Sequence, residues 1–102
     1  MAESPHSRIF REGLLEGQVC VVSGAGSGLG RETALELVRL GATVVGCGRR
    51  EEPLTETAEL AGGLAGRFDH AAMDIRDEEA VDGFFDRVLA EHERIDVLVN
   101  NA

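Results

Sequence analysis

The 102-residue sequence contains no tyrosine, no tryptophan and no lysine; its ten basic residues are all arginines, and its aromatics are four phenylalanines. Chemistry that needs a phenolic hydroxyl or a side-chain amine therefore cannot be completed by these residues. A Walker-type phosphate loop is excluded on the same ground. There are two cysteines, Cys20 and Cys47, each inside a valine-rich run. With no second cysteine or histidine at ligand spacing, they read as small buried apolar residues of a reduced, cytosolic-type protein. His6, His70 and His92 are scattered and form no metal pattern. The apolar runs are too short to span a membrane, and the first residues lack the basic start and apolar middle of a signal peptide.

Positive charge is scarce as well. Ten arginines face 19 acids, for a net charge of −9, which argues against a nucleic-acid partner because phosphate contacts need clustered cations. The balance is uneven: residues 1–50 hold six arginines and five acids, residues 51–102 four arginines and fourteen acids. That acidic surplus reads as solvated helix faces. A chain of this size makes one small domain, burying roughly 65% of the surface its unfolded form exposes. The expected location is the cytoplasm.

What is present alternates. Apolar, β-branched runs occur at Val19–Val22, Thr43–Val45, Phe68–Met73 and Ile95–Val99. Between them lie stretches of helical spacing. Leu29, Thr33, Leu37 and Leu40 would share one face, with Gly41 as a C-terminal stop. Pro53 suits the first turn of a middle helix that ends before Gly62. Val81, Phe84, Phe85, Val88 and Leu89 form a third stripe, capped by Asp77. The order β-α-β-α-β-α-β, with near-continuous apolar strands, predicts an α/β fold: a parallel sheet covered by helices and joined by right-handed crossovers. Residues 1–17 form an N-terminal extension whose Leu14 and Leu15 should pack on the domain. No repeats or low-complexity segments occur.

The most informative segment is Val19-Cys20-Val21-Val22-Ser23-Gly24-Ala25-Gly26-Ser27-Gly28-Leu29-Gly30. A strand runs into clustered glycines and then into a helix, so backbone N–H groups and the helix dipole can meet a phosphate. The spacing is not G-x-G-x-x-G, because that pattern places Leu29 or Arg31 at its last position. It is Gly24-x-x-x-Gly28-x-Gly30, which a tight strand-to-helix turn could also explain. Ser27 can donate a hydrogen bond to the same phosphate, or serve merely as a small turn residue. About 20 residues beyond such a loop, dinucleotide-binding folds place an acid for the ribose 2′-hydroxyl or an arginine for a 2′-phosphate. Here Gly48 stands where the acid would be, followed by Arg49 and Arg50. A planar, permanently charged fork suits a phosphate. The expected cofactor is NADP(H) rather than NAD(H).

Three motifs together carry a family resemblance. Ser23-Gly24-Ala25-Gly26-Ser27-Gly28-Leu29-Gly30 resembles the T-G-x-x-x-G-x-G loop of the short-chain dehydrogenases/reductases, with Ser23 for the usual threonine. Met73-Asp74-Ile75 resembles that family's aspartate followed by a branched apolar residue. Val97-Leu98-Val99-Asn100-Asn101-Ala102 resembles its N-N-A-G strand, ending before the glycine. The resemblance implies a Rossmann-type doubly wound sheet, of which residues 18–102 would be the first half, stopping after the fourth strand. It implies a cofactor site made by Gly24, Ser27, Gly28, Leu29, Gly30, Arg49, Arg50, Asp74, Ile75, Asn100 and Ala102, with Asp74 and Ile75 on the adenine. It further implies hydride transfer on a small carbonyl, alcohol or enoyl-thioester substrate by a homo-oligomeric full-length protein. The family's serine, tyrosine and Y-x-x-x-K lysine would lie beyond this chain, which alone would be inactive.

The leader Ile9–Val19 is similar to the start of peroxisomal-type trans-2-enoyl-CoA reductases, which hints at an acyl-CoA substrate. Two other readings stand beside this one. A complete, non-catalytic nucleotide-binding module would share the loop. A methyltransferase using S-adenosylmethionine would show acids before the glycines and after the second strand, where this chain has Ser23 and Gly48-Arg49.

Overall fold

Val19–Ser23 is buried at every position, the signature of a strand covered on both faces. In the computed structural model, which describes residues 10–101, this strand (β1) lies inside a four-stranded parallel sheet of order β3-β2-β1-β4. The remaining strands are β2 (Thr43–Gly48), β3 (Arg67–Ala72) and β4 (Val97–Val99). They alternate with helices α1 (Gly28–Arg39), α2 (Glu51–Ala61) and α3 (Glu78–His92). Val21 pairs with Val45 of β2 on one side and Leu98 of β4 on the other. The predicted element order holds throughout.

Alternation along the strands splits the core in two. Cys20, Val22 and Val44 meet Ala34, Leu35 and Val38 of α1 and Leu54 of α2. On the opposite face Val19, Val21, Val45 and Cys47 meet Phe84 and Val88 of α3. Each fully buried valine or leucine stabilises the fold by about 1.5–3 kcal/mol. Cys20 and Cys47, buried and free of disulfides, fall on opposite faces. Burial pushes both thiols above their ordinary pKa.

The face of α1 differs from the leucine pattern. Gly30, Ala34, Leu35 and Val38 are buried, whereas Leu29 is 74% exposed and Thr33 and Leu37 are half-buried. Close approach to the sheet favours the small residues, and glycine and alanine weigh little in a hydrophobic pattern. The predicted stop holds: Gly41 takes φ +98, and the N–H groups of Gly41 and Ala42 bond to the carbonyls of Val38 and Leu37, a Schellman closure. Asp77 caps α3 by accepting from the N–H groups of Glu79 and Ala80. Before β1, Leu15 packs on the core and its N–H donates to the Leu40 carbonyl at 2.8 Å, while Leu14 stays exposed.

Candidate functional site

Strand order places β1 between partners that the chain reaches by crossovers in opposite directions, and ligands of doubly wound sheets bind at the strand ends beside that point. A cleft of about 770 Å³ opens there. Its walls come from the ends of β1 and β2, the glycine loop, the loop after β3 and the first turn of α2. Of the residues singled out in the sequence, Gly24, Ser27, Arg49, Arg50, Asp74 and Ile75 line it, joined by Gly48 and Arg76.

The glycine loop is tightly seated. Gly24 takes φ +67, and a Cβ there would lie 2.7 Å from the Asn101 carbonyl oxygen. A Cβ on Gly30 would collide with the Gly24 carbonyl itself, so Gly30 supports the loop from beneath and does not line the cleft. Gly28, at φ +56, has open space where its Cβ would be. Ser27, the N-cap of α1, makes no side-chain capping bond, and the first turn holds no acid. The helix N-terminus therefore keeps its partial positive charge. Leu29 stands exposed in that same turn.

On the facing wall, Asp74 is already engaged. Arg76 donates to it from Nε and from a terminal nitrogen, both at 3.1 Å, and from its backbone N–H at 2.9 Å. These bonds, with Arg49 nearby, hold the Asp74 carboxyl down at about 2. Ile75, 42% exposed, offers an apolar surface beside it.

Asn100 lies elsewhere. It borders a separate recess of about 230 Å³ on the α3 side, with Val21, Cys47 and Leu98. It is tied to β1 through Ser23, whose hydroxyl lies 3.0 Å from the Asn100 side-chain oxygen and accepts from the Asn101 N–H at 3.0 Å. Ser23 thus joins the ends of β1 and β4, a role that the hydroxyl common to serine and threonine explains. Ala102 lies outside the described residues.

Sequence reasoning missed a second set of residues. The Arg31 guanidinium donates to the Thr57 hydroxyl at 2.9 Å and to the carbonyls of Gly26 and Pro53, and pairs with Glu56 at 3.2 Å. Thr57, fully buried, donates in turn to the Ala25 carbonyl at 2.8 Å. This brace fixes the glycine loop against α2. One signal was available: a cation in the first turn of α1 opposes the helix dipole and so calls for partners elsewhere.

Among the described residues no group of histidine, cysteine or acidic side chains is placed to hold a metal ion. No helix there is long and apolar enough to cross a membrane.

The family model for short chain dehydrogenase matches residues 18–102. The chain is 46% identical over 89 residues to dehydrogenase/reductase SDR family member 1 of Mus musculus, covering 86% of this chain and 28% of that protein. Among solved structures, a citronellol catabolism dehydrogenase of Pseudomonas aeruginosa superposes with a TM-score of 0.87 at 49% identity, covering 90% of this chain and 38% of the other. A metagenomic short-chain oxidoreductase, solved in complex with NADP, superposes at 0.83 with 42% identity, covering 86% and 40%. The chain thus spans well under half the length of these relatives. From the loop, the strand order and these likenesses together, the chain belongs to the short-chain dehydrogenase family of oxidoreductases.

Proposed function

We propose that the protein is an NADP(H)-dependent oxidoreductase, and that residues 18–102 supply part of its dinucleotide-binding domain. The observation that carries this reading is the end of β2: Gly48, Arg49 and Arg50 all line the cleft, with arginines where an acid would otherwise take the ribose 2′-hydroxyl. The facing carboxylate, Asp74, accepts its hydrogen bonds from Arg76, and Arg49 acts on it only by charge. In this reading the pyrophosphate lies against the glycine loop and the uncapped start of α1. Asp74 and Ile75 take the adenine, and the 2′-phosphate meets Arg49. Asn100 supports the site from β4 through Ser23. A bound nicotinamide would supply the hydride chemistry; the residues described here bind and orient it. The substrate would be a small carbonyl, alcohol or enoyl thioester.

The test is Arg49→Ala in the protein expressed from its complete reading frame. A hydrogen bond to a charged group contributes ~1.5–3 kcal/mol, so NADPH affinity should fall roughly 10- to 150-fold. NADH affinity should barely change. Equal losses for the two cofactors, measured by titration, would remove Arg49 from 2′-phosphate recognition and the NADP(H) reading with it.

A further inference from the structure

The arginine pair that this reading assigns to a 2′-phosphate is followed at once by Glu51 and Glu52. Carboxylates so close in the chain are natural competitors for the same guanidiniums. Glu51 opens α2 between Arg50 and Pro53; both of those line the cleft, and Glu51 does not. The reason lies on β3. His70 Nε2 is 2.7 Å from Glu51 Oε2, and the Thr55 hydroxyl, which donates to the Glu51 carbonyl at 3.1 Å, sits 3.5 Å from the same carboxylate oxygen.

His70 is the fixed member of the pair. Its ring stacks on Phe68 with centroids 5.9 Å apart and planes 19° from parallel. Its side chain is 20% exposed, against 62% for Glu51. It also belongs to a strand registered on β2, opposite Gly46. Glu51, exposed and long, is the member with other places to go once the contact is lost. The acid on the far wall shows the same arrangement, since Asp74 is occupied by Arg76. Glu51 and Asp74 thus each have a hydrogen-bond partner other than the arginine pair.

We infer that His70 is a specificity-determining positioning residue: by holding Glu51 against β3, it keeps a carboxylate off Arg49 and Arg50 and leaves them to a phosphate monoester. The inference rests on the NADP(H) reading. An exposed ion pair is weak, so a released Glu51 should reduce phosphate affinity about two- to fivefold rather than abolish it.

The probes are 2′,5′-ADP and 5′-AMP, titrated calorimetrically into the protein expressed from its complete reading frame. His70→Ala should weaken 2′,5′-ADP about two- to fivefold and leave 5′-AMP unchanged, with Glu51→Gln no weaker than wild type. The double variant His70→Ala/Glu51→Gln should recover wild-type selectivity, which a merely structural role for His70 would not allow. Equal losses for both probes in His70→Ala, or no recovery in the double variant, would overturn the inference alone. A wild-type protein that binds the two probes equally would overturn the NADP(H) reading and this inference together.

Discussion

Thr57 is where the glycine loop, α1 and α2 converge, although it does not itself line the cleft. Its hydroxyl is both the acceptor for Arg31 Nε and the donor to the Ala25 carbonyl. Thr57→Val keeps the shape and removes both bonds, leaving a guanidinium N–H and a loop carbonyl unpaired; the expected cost is ~1–3 kcal/mol. Denaturant titration should show that loss, and cofactor affinity should fall with it because the loop is no longer braced. Thr57→Ser keeps the hydroxyl and gives up one buried methyl, about 1 kcal/mol, so its cofactor affinity should stay close to wild type. If serine and valine weakened binding alike, the brace would not position the loop. Neither Arg31 nor Thr57 was legible as a site residue in the sequence. They lie 26 residues apart, and a polar pair between two helices leaves no periodic trace. That Arg49, Arg50 and Asp74 would stand around one cleft was legible, because each sits at a fixed place just after a strand.

Between elements, the decisive contact is the crossing of α1 beneath the loop. A methyl group on Gly30 would occupy the space of the Gly24 carbonyl, whereas one on Gly28 would meet nothing within 4 Å. Gly28→Ala should therefore fold, losing roughly 1–2 kcal/mol for a left-handed backbone with a side chain. Gly30→Ala must push α1 away from β1 and should cost clearly more, on the order of 2–3 kcal/mol or above, as overpacking does. Thermal melts of the two variants should rank them in that order; the reverse order would mean that the helix slides freely over the loop. The alternating strands and the caps Asp77 and Gly41 were readable because each has its own local chemistry. The buried face of α1 was not, because Gly30 and Ala34 are chosen for closeness, which hydrophobic periodicity does not register. The stripe on α3 reads wider than it is: Phe84 and Val88 are buried, while Leu89 is 46% exposed.

At the scale of the whole molecule, the two sides of the sheet are unequal. β3 closes one side and bears Arg67 and Asp69 exposed, charges of the kind that discourage edge-to-edge pairing. β4 closes the other; among the described residues it pairs with β1 alone, and its sequence is Val97-Leu98-Val99. Leu98 is 59% exposed and borders, with Val81, Phe85 and Met73, the apolar recess on the α3 side. An uncharged strand edge next to a partly covered apolar face is a template for another strand. The net charge of −9 opposes association, but β4 itself carries no acid, whereas nine of the 19 lie on α2 and α3. The 102-residue chain expressed by itself should therefore self-associate, and more so as salt screens its charge. It should also show no oxidoreductase activity, because the tyrosine and lysine that the family resemblance implies for proton transfer are not among its residues. Size-exclusion chromatography over a range of concentrations and ionic strengths measures the first expectation. A monodisperse monomer that melts cooperatively at every concentration would show that the β4 edge needs no covering, and that this four-stranded sheet is stable as it stands.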